Sequence, residues 1–497
     1  MADVNIKSVK HGGQVFTPQY LVKGILDFAS YTSGNILRRH VIDNSCGDGA
    51  FLCEIVDRYC RDFLLENKEI DVLKAELEEF VHGIEIDRMT CDNCRKNLSR
   101  AAKRYGLTDV RWDLTCANAL NITSFNGRMD YVVGNPPYVR VHNLEEDYAN
   151  VKTFGFTQGG MTDLYLAFFE LGFNMLGKNG RLCYITPSSW LTSLAATNMR
   201  SFIRQRQTLA GLIDLGHFQA FERVTTYTLI SLFDARHNEN RIEYYSYSPD
   251  KREKEYVDSF TYEEMDIEGR FYISSRPNLA LMNAVRKANV ARYVKVKNGF
   301  ATLADKVFIT DVPFKALTIP VLKASTGRWH RAFFPYDGQG KPLPKEQIFA
   351  HKEIADYLNS RKTELLKGRT EDEKPDWYLY GRTQALKDVA VNKYSINTLI
   401  SGIPTIKLNE VPAGSGLYSG LYILTDIPLP LIEQAIKSRE FIDYLRILKN
   451  YKSGGYYTFN SKDLEQYLNY KLYCNEETGN YIPFNERRVL EGCLEFV

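Results

Sequence analysis

The tetrapeptide Asn135-Pro136-Pro137-Tyr138 stands directly after the apolar run DYVVG. Two prolines fix the backbone there and withdraw it from strand pairing. Such a turn points the Asn135 amide oxygen and the Pro136 carbonyl at a common spot. Two acceptors converging in this way match the two hydrogens of an amino group, and Tyr138 offers its face to a flat ring. Upstream, Asp43-Asn44-Ser45-Cys46-Gly47-Asp48-Gly49-Ala50-Phe51 places small residues where a strand turns into a helix. A ligand can approach backbone N–H groups closely at such a turn. A GxG of this kind reads equally well as a plain tight turn. A dinucleotide fingerprint would need a third glycine where Leu52 stands. Between the two motifs lies Glu85 in GIEID. A carboxylate at that strand end can hold both hydroxyls of a ribose. Its bland alternative is a helix cap, but Asp87 fits the cap better and leaves Glu85 to a ligand.

These residues need a scaffold that presents strand ends side by side. LVKGILDFA has helical spacing, with Thr17 and Pro18 as its N-cap and first-turn residues. HVIDNS followed by CGDGAFLCEIVDRYC reads as strand, glycine turn and helix, and FVHGIEID as a second strand before a polar helix. VRWDLTCANAL and MDYVVGNPPYV supply two more strands. DLYLAFFELGFNML is an amphipathic helix running to Gly180, RLCYITP the next strand, and TTYTLISLF the last. Strands alternating with helices predict an α/β, doubly wound, mostly parallel sheet with its ligand at the strand C-termini. The rhythm stops after Asp234. We read 1–240 as the catalytic domain, the polar, tyrosine-rich 241–261 as a linker or peripheral hairpin, and 262–497 as a second, α+β domain.

Composition fits this picture. A chain of 497 residues is long for one domain and comfortable for two. The net charge of +2 argues against a smeared basic surface; basic groups for a nucleic acid would be gathered in one place and balanced elsewhere. Nine scattered cysteines read as reduced thiols. Cys91 and Cys94 form one CxxC, with only Cys116 nearby, so no metal site is expected. The N-terminus lacks a signal-peptide core and no apolar run matches a membrane span, so a cytoplasmic, soluble chain without membrane association is expected.

Taken in order, the motifs resemble the gamma-class, TaqI-like adenine-N6 DNA methyltransferases of type II restriction-modification systems. GGQVFTP is similar to the N-terminal cofactor motif, DNSCGDGAFL to the cofactor loop, GIEID to the ribose-binding motif, CANAL to the adenine-ring motif and VVGNPPYV to the catalytic motif. QAFERVTTYTLISLF resembles the segment that supplies an aromatic residue to the target base. The resemblance implies a Rossmann-like domain binding S-adenosylmethionine and a C-terminal target-recognition domain. It implies that Thr17 contacts the methionine end of the cofactor, that Asp43, Asn44, Ser45 and Cys46 with Gly47 and Gly49 line the cofactor loop, and that Glu85 binds ribose with Ile86 against the adenine. Asn118 stands where the family usually has Asp, and its side-chain oxygen can still accept from the adenine amino group. Pro137 would touch the cofactor. Asn135 and Pro136 would hold the target amino group, with Tyr138 and Phe221 stacking on the flipped base.

The partner implied is double-stranded DNA; such proteins either pair with a separate restriction endonuclease or act alone, and a monomer is expected. RWHRAFFPYDGQGK and DWYLYGRTQALKD mix cations and aromatics in predicted turns, and Arg328, Arg331 and Arg382 are candidates for base edges or phosphates. For any single arginine, a solvated loop is the plainer alternative. Three rivals stay open at this point. N4-cytosine methylation uses the same chemistry but usually replaces the Asn by Ser. Modification of RNA or of a protein glutamine uses the same tetrapeptide. A DNA-binding modification subunit that is inactive alone would also carry these motifs.

Overall fold

The computed structural model describes residues 17–477 apart from 67, 142–147, 161, 222–225, 289–292, 310–311, 368 and 371–373. Of GGQVFTP, only Thr17 and Pro18 fall inside the described residues. The chain divides into two compact units, Met1–Asn283 and Ala284–Val497.

The first unit is built on nine strands: β1 Val41–Asp43, β2 Val81–Glu85, β3 Asp113–Cys116, β4 Met129–Gly134, β5 Leu176–Pro187, β6 Leu209–Asp214, β7 Thr228–Asp234, β8 Ile242–Ser248 and β9 Glu253–Phe260. Their order is β3-β2-β1-β4-β5-β7-β6-β8-β9. β1 to β5 pair in parallel, and β7 inserts antiparallel between β5 and β6. β1 and β2 are buried along their whole length, as strands covered on both faces must be, which explains their unbroken apolar runs. Helices α1 Gln19–Phe28, α2 Ala50–Glu66 and α4 Arg88–Lys103, with α3 Ile70–Phe80 between the last two, precede or connect these strands. Leu21, Val22, Ile25, Ile55, Val56 and Leu98 pack with strand residues Val41, Val81 and Val133 into one core.

Three expectations need correction. Thr17 does not cap α1: the N-cap is Pro18, and the threonine hydroxyl is used elsewhere. The helix before β5, α5 Leu164–Met175, stops short of Gly180, and β5 already begins at Leu176, opposite Met129. The glycine allows this, since a Cβ on Gly180 would lie 2.5 Å from the Met129 carbonyl oxygen. The stretch 241–261 is the peripheral hairpin rather than the linker. It forms β8, parallel to β6, and β9, antiparallel to β8, so the sheet continues to Phe260. Edge strands tolerate polar faces, and that polarity made the segment resemble a linker.

The second unit is α+β, as expected. A four-stranded antiparallel sheet joins Lys295–Asn298, Leu421–Leu424, Lys393–Ile396 and Leu408–Val411. A three-stranded sheet joins Arg328–Phe333, Thr318–Lys323 and Gly416–Tyr418. The run RWHRAF is therefore a strand rather than a turn, paired residue by residue with Thr318–Lys323. The helices Leu429–Ile436 and Arg439–Ile447 break at Ser438, whose hydroxyl caps the second by accepting from Phe441 N. Residues 284–497 carry 31 Lys and Arg against 24 Asp and Glu, whereas 1–283 carry 32 against 37. The near-neutral total hides a basic C-terminal unit and an acidic N-terminal one.

Candidate active site at the carboxyl ends of the central strands

β1 and β4 are neighbours, so the loops that leave their carboxyl ends lie side by side. Asp43, the last residue of β1, is buried and accepts at Oδ1 from Ser45 N at 3.0 Å. It lies directly against the end of β4. Gly134 has φ +150°, and a Cβ there would sit 2.7 Å from Asp43 Oδ1. Only glycine lets the two loops approach this closely. Burial pushes the Asp43 carboxyl up to about 7, with the nearby Glu85 charge adding to it and the Ser45 N–H opposing it.

The glycine turn is held from β2. Gly47, at φ +56°, donates its N–H to Glu85 Oε2 at 3.0 Å, and Asp87 N donates to Glu85 Oε1 at 2.9 Å. Cys46 N donates to Ile84 O at 2.9 Å. Gly49, at φ +95°, fits against α4, where a Cβ would meet Cys94 Sγ at 2.8 Å. Glu85 is buried, and desolvation raises its pKa. Each of its oxygens spends one lone pair on a backbone amide and keeps another for a hydroxyl. Asp87 caps α4 through Thr90 N, the role its position suggested. Ile86, at 62% relative exposure, lays an apolar surface beside Glu85. Asn118 follows β3, which pairs with β2, and caps a short 3-10 turn by accepting from Leu120 N at 3.1 Å. Asn44 turns inward instead, its Nδ2 toward Met175 Sδ at 3.8 Å.

The proline turn is tied to the start of the chain. Asn135 Nδ2 donates to Thr17 Oγ1 at 3.1 Å, which fixes the amide so that its oxygen end is directed away from Thr17. The Tyr138 hydroxyl donates to Ile185 O on β5 at 3.1 Å. The Tyr138 and Phe221 rings lie 6.1 Å apart at 70°. The two aromatics named from the sequence are thus neighbours, but edge to face rather than parallel. A flat base between them requires one ring to swing.

Two contributors escaped the sequence. One is the Asp43–Gly134 contact, invisible because the residues are far apart in the chain. The other is Arg200, buried on the helix Thr197–Arg206, which donates to Trp190 O at 2.8 Å, Ser193 O at 2.7 Å and Gly269 O at 2.8 Å. It freezes the segment after β5; an arginine inside a polar helix gives no hint of this. Cys46 and Cys94 face each other at 4.0 Å as free thiols. Among the described residues no group of His, Cys, Asp and Glu has the arrangement of a metal site, and no helix is long and apolar enough to cross a membrane.

Arg328, Arg331 and Arg382 belong to the second unit and are exposed, with no carboxylate partner among the described residues. Arg328 and Arg331 stand on one strand, and Arg382 follows a turn.

Residues 54–221 match the Eco57I restriction-modification methylase family. The Eco57I-type segment spans GIEID, the proline turn and Phe221. Curated relatives include the type II restriction enzyme and methyltransferase RM.Eco57I of Escherichia coli, 22% identical over 495 residues, covering 78% of this chain and 49% of the relative. They also include the type II methyltransferases M.XhoI of Xanthomonas vasicola, 26% identical over 231 residues (45% and 42% of the two chains), and M.TthHB8I of Thermus thermophilus, 24% identical over 199 residues (38% of each). The chain spans about half or less of the length of these relatives. Among solved structures, the type IIL restriction-modification enzyme MmeI in complex with DNA aligns with a TM-score of 0.58 at 13% identity, over 96% of this chain and 74% of that one. The fold is Rossmann-like and shared with that enzyme, with an additional unit.

Proposed function

We infer that the chain is a site-specific DNA methyltransferase of a restriction-modification system, moving a methyl group from S-adenosylmethionine to N6 of an adenine turned out of the duplex. One observation carries the reading. The glycine loop and the proline turn are in contact through Asp43 and Gly134, and Thr17 holds the Asn135 amide by its nitrogen, leaving the buried oxygen end directed away from Thr17. A methyl donor on the first loop therefore lies beside an amino-group acceptor on the second.

The residues present fit the cofactor. Among the described residues, Ser45 Oγ is buried without a partner, and the side of Gly47 is open, with nothing within 4 Å of a would-be Cβ. Glu85 keeps acceptor capacity for ribose hydroxyls, and Ile86 gives the adenine ring a surface. Bound S-adenosylmethionine supplies an electrophilic methyl on a sulfonium. Turning a base out costs a few kcal/mol. Stacking on Tyr138 and Phe221 offsets this by about 1–3 kcal/mol per aromatic contact. Asn135 Oδ1 and the Pro136 carbonyl accept the two amino hydrogens, which draws the nitrogen toward a tetrahedral shape and frees its lone pair from the ring. With that nitrogen held in line, much of the rate comes from positioning.

Asn135→Ala tests the assignment. Transfer of labelled methyl to plasmid DNA should fall at least a hundredfold, the scale on which single preorganised polar groups act, while cofactor affinity stays near that of the parent. A variant with parental turnover would refute the role of the turn. The relatives named as type II methyltransferases support a DNA substrate, and the basic second unit supports it from charge.

A further inference from the structure

The second unit carries a leucine in a place that folding alone does not ask for. Leu303 has φ +59° and is 71% exposed. A left-handed backbone costs a leucine roughly 1–2 kcal/mol. Glycine or asparagine would remove both that cost and the exposed apolar surface. The conformation is imposed from below. Thr302 is buried, its hydroxyl pairs with the Asp305 carboxylate, and it accepts from Ala304 N at 3.1 Å.

A second segment is stapled alongside. Gly381 N donates to Thr302 O at 3.0 Å, and Gln384 Nε2 donates to Gly299 O at 2.6 Å. Gly381 leaves room for the leucine, since a Cβ there would lie 2.5 Å from Leu303 Cδ1. Between the staples stand Arg382 and Thr383, both exposed. Arg286 is engaged by Asp463 and Arg369 by backbone carbonyls, whereas Arg382, like Arg328 and Arg331, has no carboxylate partner among the described residues. A rigid apolar tip therefore sits beside an unneutralised cation, in a unit with an excess of seven basic groups. The partner such an edge fits is a polyanion with apolar edges inside it.

We propose that Leu303 and Arg382 form one DNA-contacting edge of the second unit, with Arg382 on a backbone phosphate and Leu303 pressed against the bases in the adjoining groove. The proposal deepens the methyltransferase reading and rests on its DNA substrate. Apolar side chains pushed against base steps are a known way of gripping and deforming a duplex. Phosphate neutralisation by arginine carries a measurable salt signature.

The test is fluorescence polarisation of the full chain with a short labelled duplex of mixed sequence over a series of salt concentrations. Arg382→Gln should reduce the slope of log affinity against log salt by about 0.9. Leu303→Asn should weaken binding roughly tenfold with the slope unchanged. Leu303→Gly should weaken it similarly while its melting temperature equals or exceeds the parent's, because backbone strain is relieved; that separates lost contact from lost fold. Parental affinity in both leucine variants would overturn the apolar contact, and a parental slope in Arg382→Gln would overturn the phosphate contact. A parent chain that binds the duplex with these signatures yet methylates nothing would sink the methyl-transfer reading alone and leave the edge standing.

Discussion

Asp43 is the residue whose environment makes the sharpest chemical demand. Its carboxyl is raised to about 7 because burial disfavours the anion. An acid raised in the folded state holds its proton there while the unfolded chain has lost it. Its contribution to stability therefore declines as pH rises from about 4 to about 7. A cationic ligand seated against it reverses the preference and expels the proton. Cofactor affinity should thus climb between about pH 6 and pH 8, and Asp43→Asn should flatten that climb; calorimetry in buffers of different ionisation enthalpy would read the proton released. An affinity independent of pH in the parent would place Asp43 away from the charged end of the ligand. The Thr17 hydroxyl accepts from the Asn135 amide. Thr17→Val, which keeps the shape and removes the acceptor, should lower kcat by roughly tenfold, with Thr17→Ser restoring it; equal loss in both would mark a packing role. At this scale the sequence was readable where the chemistry is local. Asp87 announces its cap by type and position, and Asn135 and Glu85 stand out beside strand ends as the candidates for chemistry. Asn44 does not, because nothing in DNSCGDG says which side chain faces inward.

Elements were legible wherever burial imposes a period. VID, VHGIE and MDYVVG are buried on both faces and read as strands at once. The misread pieces share a physical cause, a conflict between composition and location. IEYYSYS is a strand at the polar margin of a sheet, so it carries a linker's composition while its backbone pairs with β6 and β9. RWHRAF lies on a strand with four of its six side chains outside the core, so its charges suggested a turn. The close approach of β1 and β4 depends on a glycine that the sequence shows only as the end of DYVVG. Gly134→Ala should therefore both strain the backbone and collide with Asp43. We expect a loss of about 1–3 kcal/mol in stability by denaturant titration and weaker cofactor binding by calorimetry. A parental Cm would mean that the loops can part without cost.

The whole molecule joins an acidic N-terminal unit to a basic C-terminal one, a division hidden by a net charge of +2. The opposing balances suggest a division of labour, chemistry in the first and grip in the second. A chain ending at Ala288 should keep cofactor affinity within a few-fold and lose DNA binding at moderate salt, as a gel-shift series would reveal. Retained sequence-selective binding would move recognition into the first unit. The sequence could indicate two domains from the loss of alternation after Asp234, but it placed the boundary too early, because a sheet can continue after its helices stop. The most direct check of the account is which base receives the methyl group. Plasmid DNA incubated with the purified chain and S-adenosylmethionine, then digested to nucleosides and weighed by mass spectrometry, should contain N6-methyladenine, and none when Asn135 is replaced by alanine. Methyl on cytosine alone, or an undiminished yield from the alanine variant, would contradict it.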